Sequence, residues 1–91
     1  MKATKIKMKH GCGTSSNLLE IDSIYLTGCK EEKFYKKENL NDYLQINPDT
    51  IQVNIYPYPN LIPALSSNNE KYVKSSPNGT SSDNLLALPR V

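Results

Sequence analysis

Lys5, Lys7 and Lys9 recur at every second position and run into His10 and the loop Gly11-Cys12-Gly13-Thr14. Three ammonium groups on one side of an extended strand raise the local positive potential, and a Gly-x-Gly-Thr loop can turn backbone N–H groups toward an anion without side-chain clash. Phosphate recognition is therefore one candidate chemistry: a small anionic, nucleotide-like ligand held by Lys5, Lys7, Lys9, His10, Gly11, Gly13 and Thr14. The stretch lacks the Lys-Ser/Thr ending of a P-loop and no helical pattern follows it, so it carries no nucleotidase signature. The same lysines suit a plainer task, because cations along an edge strand keep it from pairing with another chain.

His10, Cys12 and Cys29 have the chemistry of zinc ligands. A structural zinc site takes four protein ligands, commonly with a C-x-x-C pair, and neither the fourth ligand nor the pair is present. Cys12 with His10 has the chemistry of a nucleophile and base but lacks an identifiable acid to orient the histidine. No metal, no cofactor and no enzymatic activity are expected. Without an export signal the two cysteines are expected as free thiols, and the sequon Asn78-Gly79-Thr80 as unused.

Tyr56 and Tyr58 flank Pro57 within "NIYPYPNLIP", followed by Leu61 and Ile62. Tyrosine offers a large contact area with few rotamers to freeze, which suits a protein interface or a platform on which a base stacks. Tyr56, Tyr58, Leu61 and Ile62 are thus the candidate partner interface, by a hydrophobic patch or edge-strand pairing. Docking of a protein partner is the leading expectation and the anionic ligand the alternative. Self-association is left open.

The elements that must position these residues follow from periodicity. In "TKIKMK", Thr4, Ile6 and Met8 fall on one face of a strand and the lysines on the other. "LLEIDSIYL" (18–26) reads as a second strand whose apolar positions change parity between Ile21 and Ile24, as a bulge would cause. "EKFYK" is a short hairpin arm. "ENLNDYLQ" (38–45) places Leu40, Tyr43 and Leu44 on one helical face and must stop before Pro48. "IQVNIY" alternates again with Ile51, Val53 and Ile55 inward, the prolines at 57, 59 and 63 make the next segment an extended or turning connection, and "EKYVK" is a final strand.

This order predicts an α+β fold: a small, mainly antiparallel sheet of about five strands with one short helix. At 91 residues the chain is expected to form a single domain, and a chain of this size buries only roughly 60–65% of its unfolded surface, so each apolar residue counts. A hydrophobic share of 37% and a mean hydropathy of −0.56 fit a small core with polar loops. A net charge of +2 is far from that of a duplex nucleic-acid binder. The basic start "MKATKIKMKHGCG" is not followed by the apolar run of a signal peptide, and no stretch is long and apolar enough to span a membrane. A cytoplasmic protein is expected.

The closing residues "KYVKSSPNGTSSDNLLALPRV" carry turn chemistry in Ser76-Pro77-Asn78-Gly79, then Asp83-Asn84 to bond neighbouring N–H groups. An ordered tail (76–91) packed on the core is expected, with Leu85, Leu86 and Leu88 sealing its open side. This tail resembles the C-terminal signature of the short proteins known as domain of unknown function 3892: a Tyr-aliphatic pair, a polar turn ending in Gly, then "DNLLALP". Tyr72-Val73, Gly79 and Asp83 to Pro89 occupy those places. Over the first 69 residues the likeness is confined to an Ile-containing first strand, a strand near "IDSIYL" and a helix before the fourth strand. "KHGCGTSSN" stands where members usually have a longer polar or His-containing loop. The resemblance implies bacterial or phage origin and assigns no chemistry.

Overall fold

The structure is a computed structural model and describes residues 1–77 and 83–91. The predicted turn at Ser76-Pro77-Asn78-Gly79 and the sequon fall partly or wholly outside the described residues. Three strands, β1 (Lys2–Met8), β2 (Ile21–Thr27) and β3 (Phe34–Lys36), form an antiparallel meander. The helix α1 (Lys37–Ile46) follows directly, and β4 (Gln52–Val53) then pairs parallel to β1, giving the sheet order β3-β2-β1-β4. A separate antiparallel pair is made by β5 (Leu61–Leu65) and β6 (Lys71–Ser75). The fold is α+β with mostly antiparallel strands, as the sequence predicts, but its strands divide between two sheets.

The lysine strand is not an edge. β2 covers one side, β4 pairs at Lys2 and Ala3 on the other, and farther along Ile6 N–H donates to the Pro89 carbonyl (2.9 Å) while Val91 N–H donates to that of Ile6 (3.1 Å). The tail therefore completes the side of β1 that the two-residue β4 leaves open. A register shift between Ala3 and Lys5 leaves Thr4 as the extra residue, so Ala3 rather than Thr4 joins Ile6 and Met8 in the core. In β2 the parity slip is a bulge as expected: Lys7 opposes Ser23 and Met8 opposes Ile21, which leaves Asp22 unmatched. Leu18–Glu20, expected as strand, is instead a 3-10 turn, because Asn17 caps it by accepting from Leu19 N–H (3.0 Å).

The helix has no side-chain cap at Lys36, but Glu38 in its first turn suits the helix dipole. It ends at Asn47, whose backbone N–H and side-chain amide both donate to the Tyr43 carbonyl (2.8 and 3.2 Å). Leu40 and Leu44 are buried as expected, while Tyr43 is 40% exposed and Asn41 is buried in its place. The Asn41 amide nitrogen donates to the carbonyls of Ala64 and Tyr72, both at 2.8 Å, tying the helix to β5 and β6.

Two further expectations are corrected by backbone geometry. The strand expected over 51–56 is only two residues long, because the chain turns from Asn54 onward; Ile51 and Val53 are buried and Ile55 half-buried. The segment around Pro63 is a strand despite its proline. Leu61 N–H points away from β6 to the Ile51 carbonyl (2.7 Å), and Pro63, two residues on, faces the same way, so its missing N–H removes no bond to β6.

The core joins Ile6, Ile24 and Leu26 of the first sheet to Leu40 and Leu44 of α1, Leu61 and Val73 of the second sheet, and the tail. Leu85 and Leu88 are buried and Leu86 half-buried, held by a 3-10 turn over Asn84–Ala87. Asp83 caps that turn by accepting from Leu85 N–H (2.8 Å) and also accepts from Ser75 N–H (3.1 Å), while Ser75 Oγ accepts from Asn84 N–H (3.2 Å).

Candidate functional site

One face of the four-stranded sheet packs on the core and the other carries the charge. On β2, Ile24 and Leu26 point inward, so Ser23, Tyr25 and Thr27 point outward, and their partners Lys7, Lys5 and Lys2 share that face. On β3, Phe34 and Lys36 oppose Tyr25 and Ser23. The outer face thus interleaves lysines with aromatic rings. Tyr25 and Phe34 meet edge to face with centroids 5.1 Å apart, and Lys5 Nζ lies 4.8 Å from the Tyr25 ring centroid.

The Tyr/Pro segment adjoins this face. Lys2 Nζ stands 4.6 Å from the Tyr58 ring centroid, and Tyr58 meets Tyr56 edge to face at 6.1 Å. Tyr56 is 81% exposed and Tyr58 44%. The other two residues of the expected interface lie differently: Leu61 is fully buried in the core and Ile62 is half-buried in β5. The sequence-predicted lysine row and tyrosine pair, read as separate sites, are neighbours joined by Lys2, which the sequence reading overlooked. Its signal was present, since Lys2 precedes the alternating row, but the bulge at Thr4 shifts its parity.

Lys9 leaves the row. β1 ends at Met8, and Lys9 Nζ pairs with Glu70 Oε2 (3.3 Å), which also holds Lys37 Nζ (3.2 Å). The Lys37 side chain is only 3% exposed. Its burial pulls the ammonium toward deprotonation, but hydrogen bonds to Glu38 and Glu70 outweigh that and raise its pKa. Hydrogen bonds from Lys37 and then Lys9 hold Glu70 below the ordinary carboxylate range.

The glycine loop is occupied by its own contacts. Gly11 takes a positive φ of 79°, Cys12 N–H donates to the Lys9 carbonyl (2.9 Å) and Ser15 N–H to the Cys12 carbonyl (3.0 Å). Those two amides are thereby turned into the loop. The Glu20 carboxylate accepts from the Ser15 hydroxyl and from the Cys12 thiol (3.2 Å), placing a negative charge beneath it. Arg90 clamps the loop from the tail, donating to the carbonyls of Gly13 (3.0 Å) and Ser15 (2.7 Å). His10, Gly11, Gly13 and Thr14 are all exposed. The Glu20 hydrogen bond, followed by burial, raises the Cys12 pKa, which opposes thiolate formation.

Cys12 and Cys29 are free thiols at opposite ends of the β1–β2 hairpin. A seven-residue strand spans roughly 23 Å, far beyond the ~7 Å limit for a bridge. Among the described residues no group of three or more His, Cys, Asp and Glu side chains is placed to hold a metal ion. Cys29 instead borders an open apolar cleft of about 500 Å³ walled by Met1, Leu26, Tyr35, Leu40 and Ile51. No motif in the sequence marked this cleft, because its walls come from five separate stretches of chain. No helix of the described residues is long and apolar enough to cross a membrane.

No curated protein and no solved structure matches the chain. Residues 58–89, running from Tyr58 through β5, β6 and the leucine-rich tail, match the model of the family described as Protein of unknown function (DUF3892), which bears out the resemblance read from the tail.

Proposed function

We propose that the protein is a small non-enzymatic binding module whose working surface is the outer face of the four-stranded sheet, continued by Tyr56 and Tyr58. The observation that carries this reading is the contact of Lys2 with Tyr58, which makes one surface of the lysine row and the tyrosine pair. Among the described residues, Lys9, Lys33, Lys36, Lys37 and Lys71 each have a carboxylate partner. Lys2, Lys5, Lys7, Lys30 and Lys74 are in none of these pairs; of these, Lys2 and Lys5 lie over aromatic rings and Lys7 is exposed on the same sheet face. Charge without a carboxylate partner beside the half-buried Tyr25 and the exposed Tyr58 favours a partner with negative charge. Bacterial or phage origin comes with the family resemblance, and a cytoplasmic place of work belongs to the same reading.

The test is lysine footprinting. The protein is acylated at low reagent excess in buffer and in bacterial cell extract, and each lysine is quantified by peptide mass spectrometry. Protection of Lys2, Lys5 and Lys7 in extract, with Lys30 and Lys71 unchanged, supports the reading. Equal modification of all five in buffer and extract would overturn it.

A further inference from the structure

Resting on that reading, we infer that the partner of the outer sheet face is single-stranded nucleic acid, bound by stacking of bases on Tyr25, Phe34 and Tyr58 and by phosphate contacts from Lys2, Lys5 and Lys7. Two observations combine here. First, cations and rings alternate on the outer face, where Tyr25 and Phe34 are half-buried and Tyr58 is exposed, with Lys5 over Tyr25 and Lys2 over Tyr58. A strand of nucleic acid presents the matching alternation of flat bases and negative phosphates, whereas a simple polyanion matches only the cations and an apolar peptide only the rings. Second, the surface is a broad sheet face. Strands spaced about 4.8 Å apart leave room for two or three unstacked bases to lie across them, while a duplex hides its bases from such a face.

The contacts within the free protein are of a kind that a ligand can replace. Lys2 and Lys5 reach their rings with flexible side chains, and an exposed cation–π contact is weaker than a stacked base. As a base takes the ring face, the displaced ammonium moves to an adjoining phosphate and keeps an opposite charge. Lys36 is held by Asp22 at 3.0 Å, which fixes the β3 border of the face. The modest net charge of +2 is compatible with this arrangement, because binding needs only the local charge of Lys2, Lys5 and Lys7 beside the rings.

The experiment measures fluorescence anisotropy of the full chain with a labelled oligouridylate or oligothymidylate of about a dozen nucleotides, within the site sizes of single-strand binders. Tyrosine fluorescence is followed in parallel as a report of stacking. The expected result is saturable binding with quenched tyrosine emission, weakened by salt and much weaker with a duplex of equal length. Lys5→Gln with Lys7→Gln, and separately Tyr58→Ala, should each weaken it about tenfold, with circular dichroism unchanged. Absence of binding at low salt, equal affinity for inorganic polyphosphate, or indifference to Tyr58→Ala would each overturn the inference. The footprint separates this failure from that of the broader reading. Protection of Lys2, Lys5 and Lys7 that survives nuclease treatment of the extract, with no oligonucleotide binding, assigns the face to a protein partner; loss of both signals removes both readings.

Discussion

Asn41 of the helix donates a 2.8 Å hydrogen bond to the carbonyl of Tyr72 in β6, and a second of equal length to Ala64 in β5. Its own side-chain oxygen accepts from Gln45 Nε2 (2.6 Å), so a 2%-exposed polar side chain is matched at both ends. Loss of such a group removes its hydrogen bonds and leaves their partners short of one. Asn41→Leu is therefore expected to destabilise by about 2–3 kcal/mol, with the larger part from unmatched carbonyls. Urea unfolding gives the value, and a change within 0.5 kcal/mol, the range roughly typical of surface substitutions, would remove Asn41 from its bridging role.

Asn41 also marks how far the sequence can be read. Three apolar residues, Leu40, Tyr43 and Leu44, in a stretch expected to span two turns define an apolar direction only loosely, and the buried stripe of α1 turns out to include Leu40, Asn41 and Leu44. Local signals did well where the determinant was local, as in the inward pair Ile6 and Met8 and the bulge in β2, whereas the bulge at Thr4, which puts Ala3 in the core instead, left no local sign. Pro63 misled because its effect depends on which way its backbone nitrogen faces, which is fixed by pairing with β6. The lysine row and the tyrosine pair were legible separately. Their union through Lys2 and Tyr58 depends on β4 pairing parallel to β1, and nothing in either segment signals that.

The tail gives the second prediction. Leu85 is fully buried and its backbone N–H is held by Asp83, so the site has little freedom to collapse around a smaller side chain. Leu85→Ala is expected to cost about 3 kcal/mol through lost burial and the cavity left behind. Leu86→Ala, at a half-buried position, should cost clearly less. Thermal or urea unfolding of the pair tests the order; equal losses would contradict the assignment of Leu85 to the core.

Acid should act through Glu70. Its hydrogen bonds from Lys37 and Lys9 lower its folded-state pKa, so the unfolded chain takes up a proton more readily than the folded one. The contribution is complete above the ordinary glutamate value of about 4.3 and is lost as pH falls through the lowered folded value. Glu20 and Asp22 are shifted the same way by Ser15 and Lys36, so total stability is not a specific readout. The specific one is the gap in unfolding midpoint between the native sequence and Glu70→Gln. It should be open near about pH 7 and closed near about pH 2. A gap independent of pH would mean that the Glu70 charge plays no part.

Cys12 and Glu20 supply the last prediction. The thiol donates to Glu20 Oε2 at 3.2 Å, and ionisation would give up that hydrogen bond; this first, then burial and the nearby carboxylate charge, raises the pKa of Cys12. Reaction with a disulfide reagent follows the thiolate fraction, so Cys12 should react slowly at neutral pH. Glu20→Gln keeps the size of the side chain and removes its charge. In a Cys29→Ser background it should speed labelling of Cys12 several-fold and move the pH dependence of the rate to lower pH. Loosening of the loop would also speed labelling, but by exposure alone, without moving the pH dependence. The profile separates the two causes: a faster rate with an unshifted profile would mean that access, and not the carboxylate, governs this thiol.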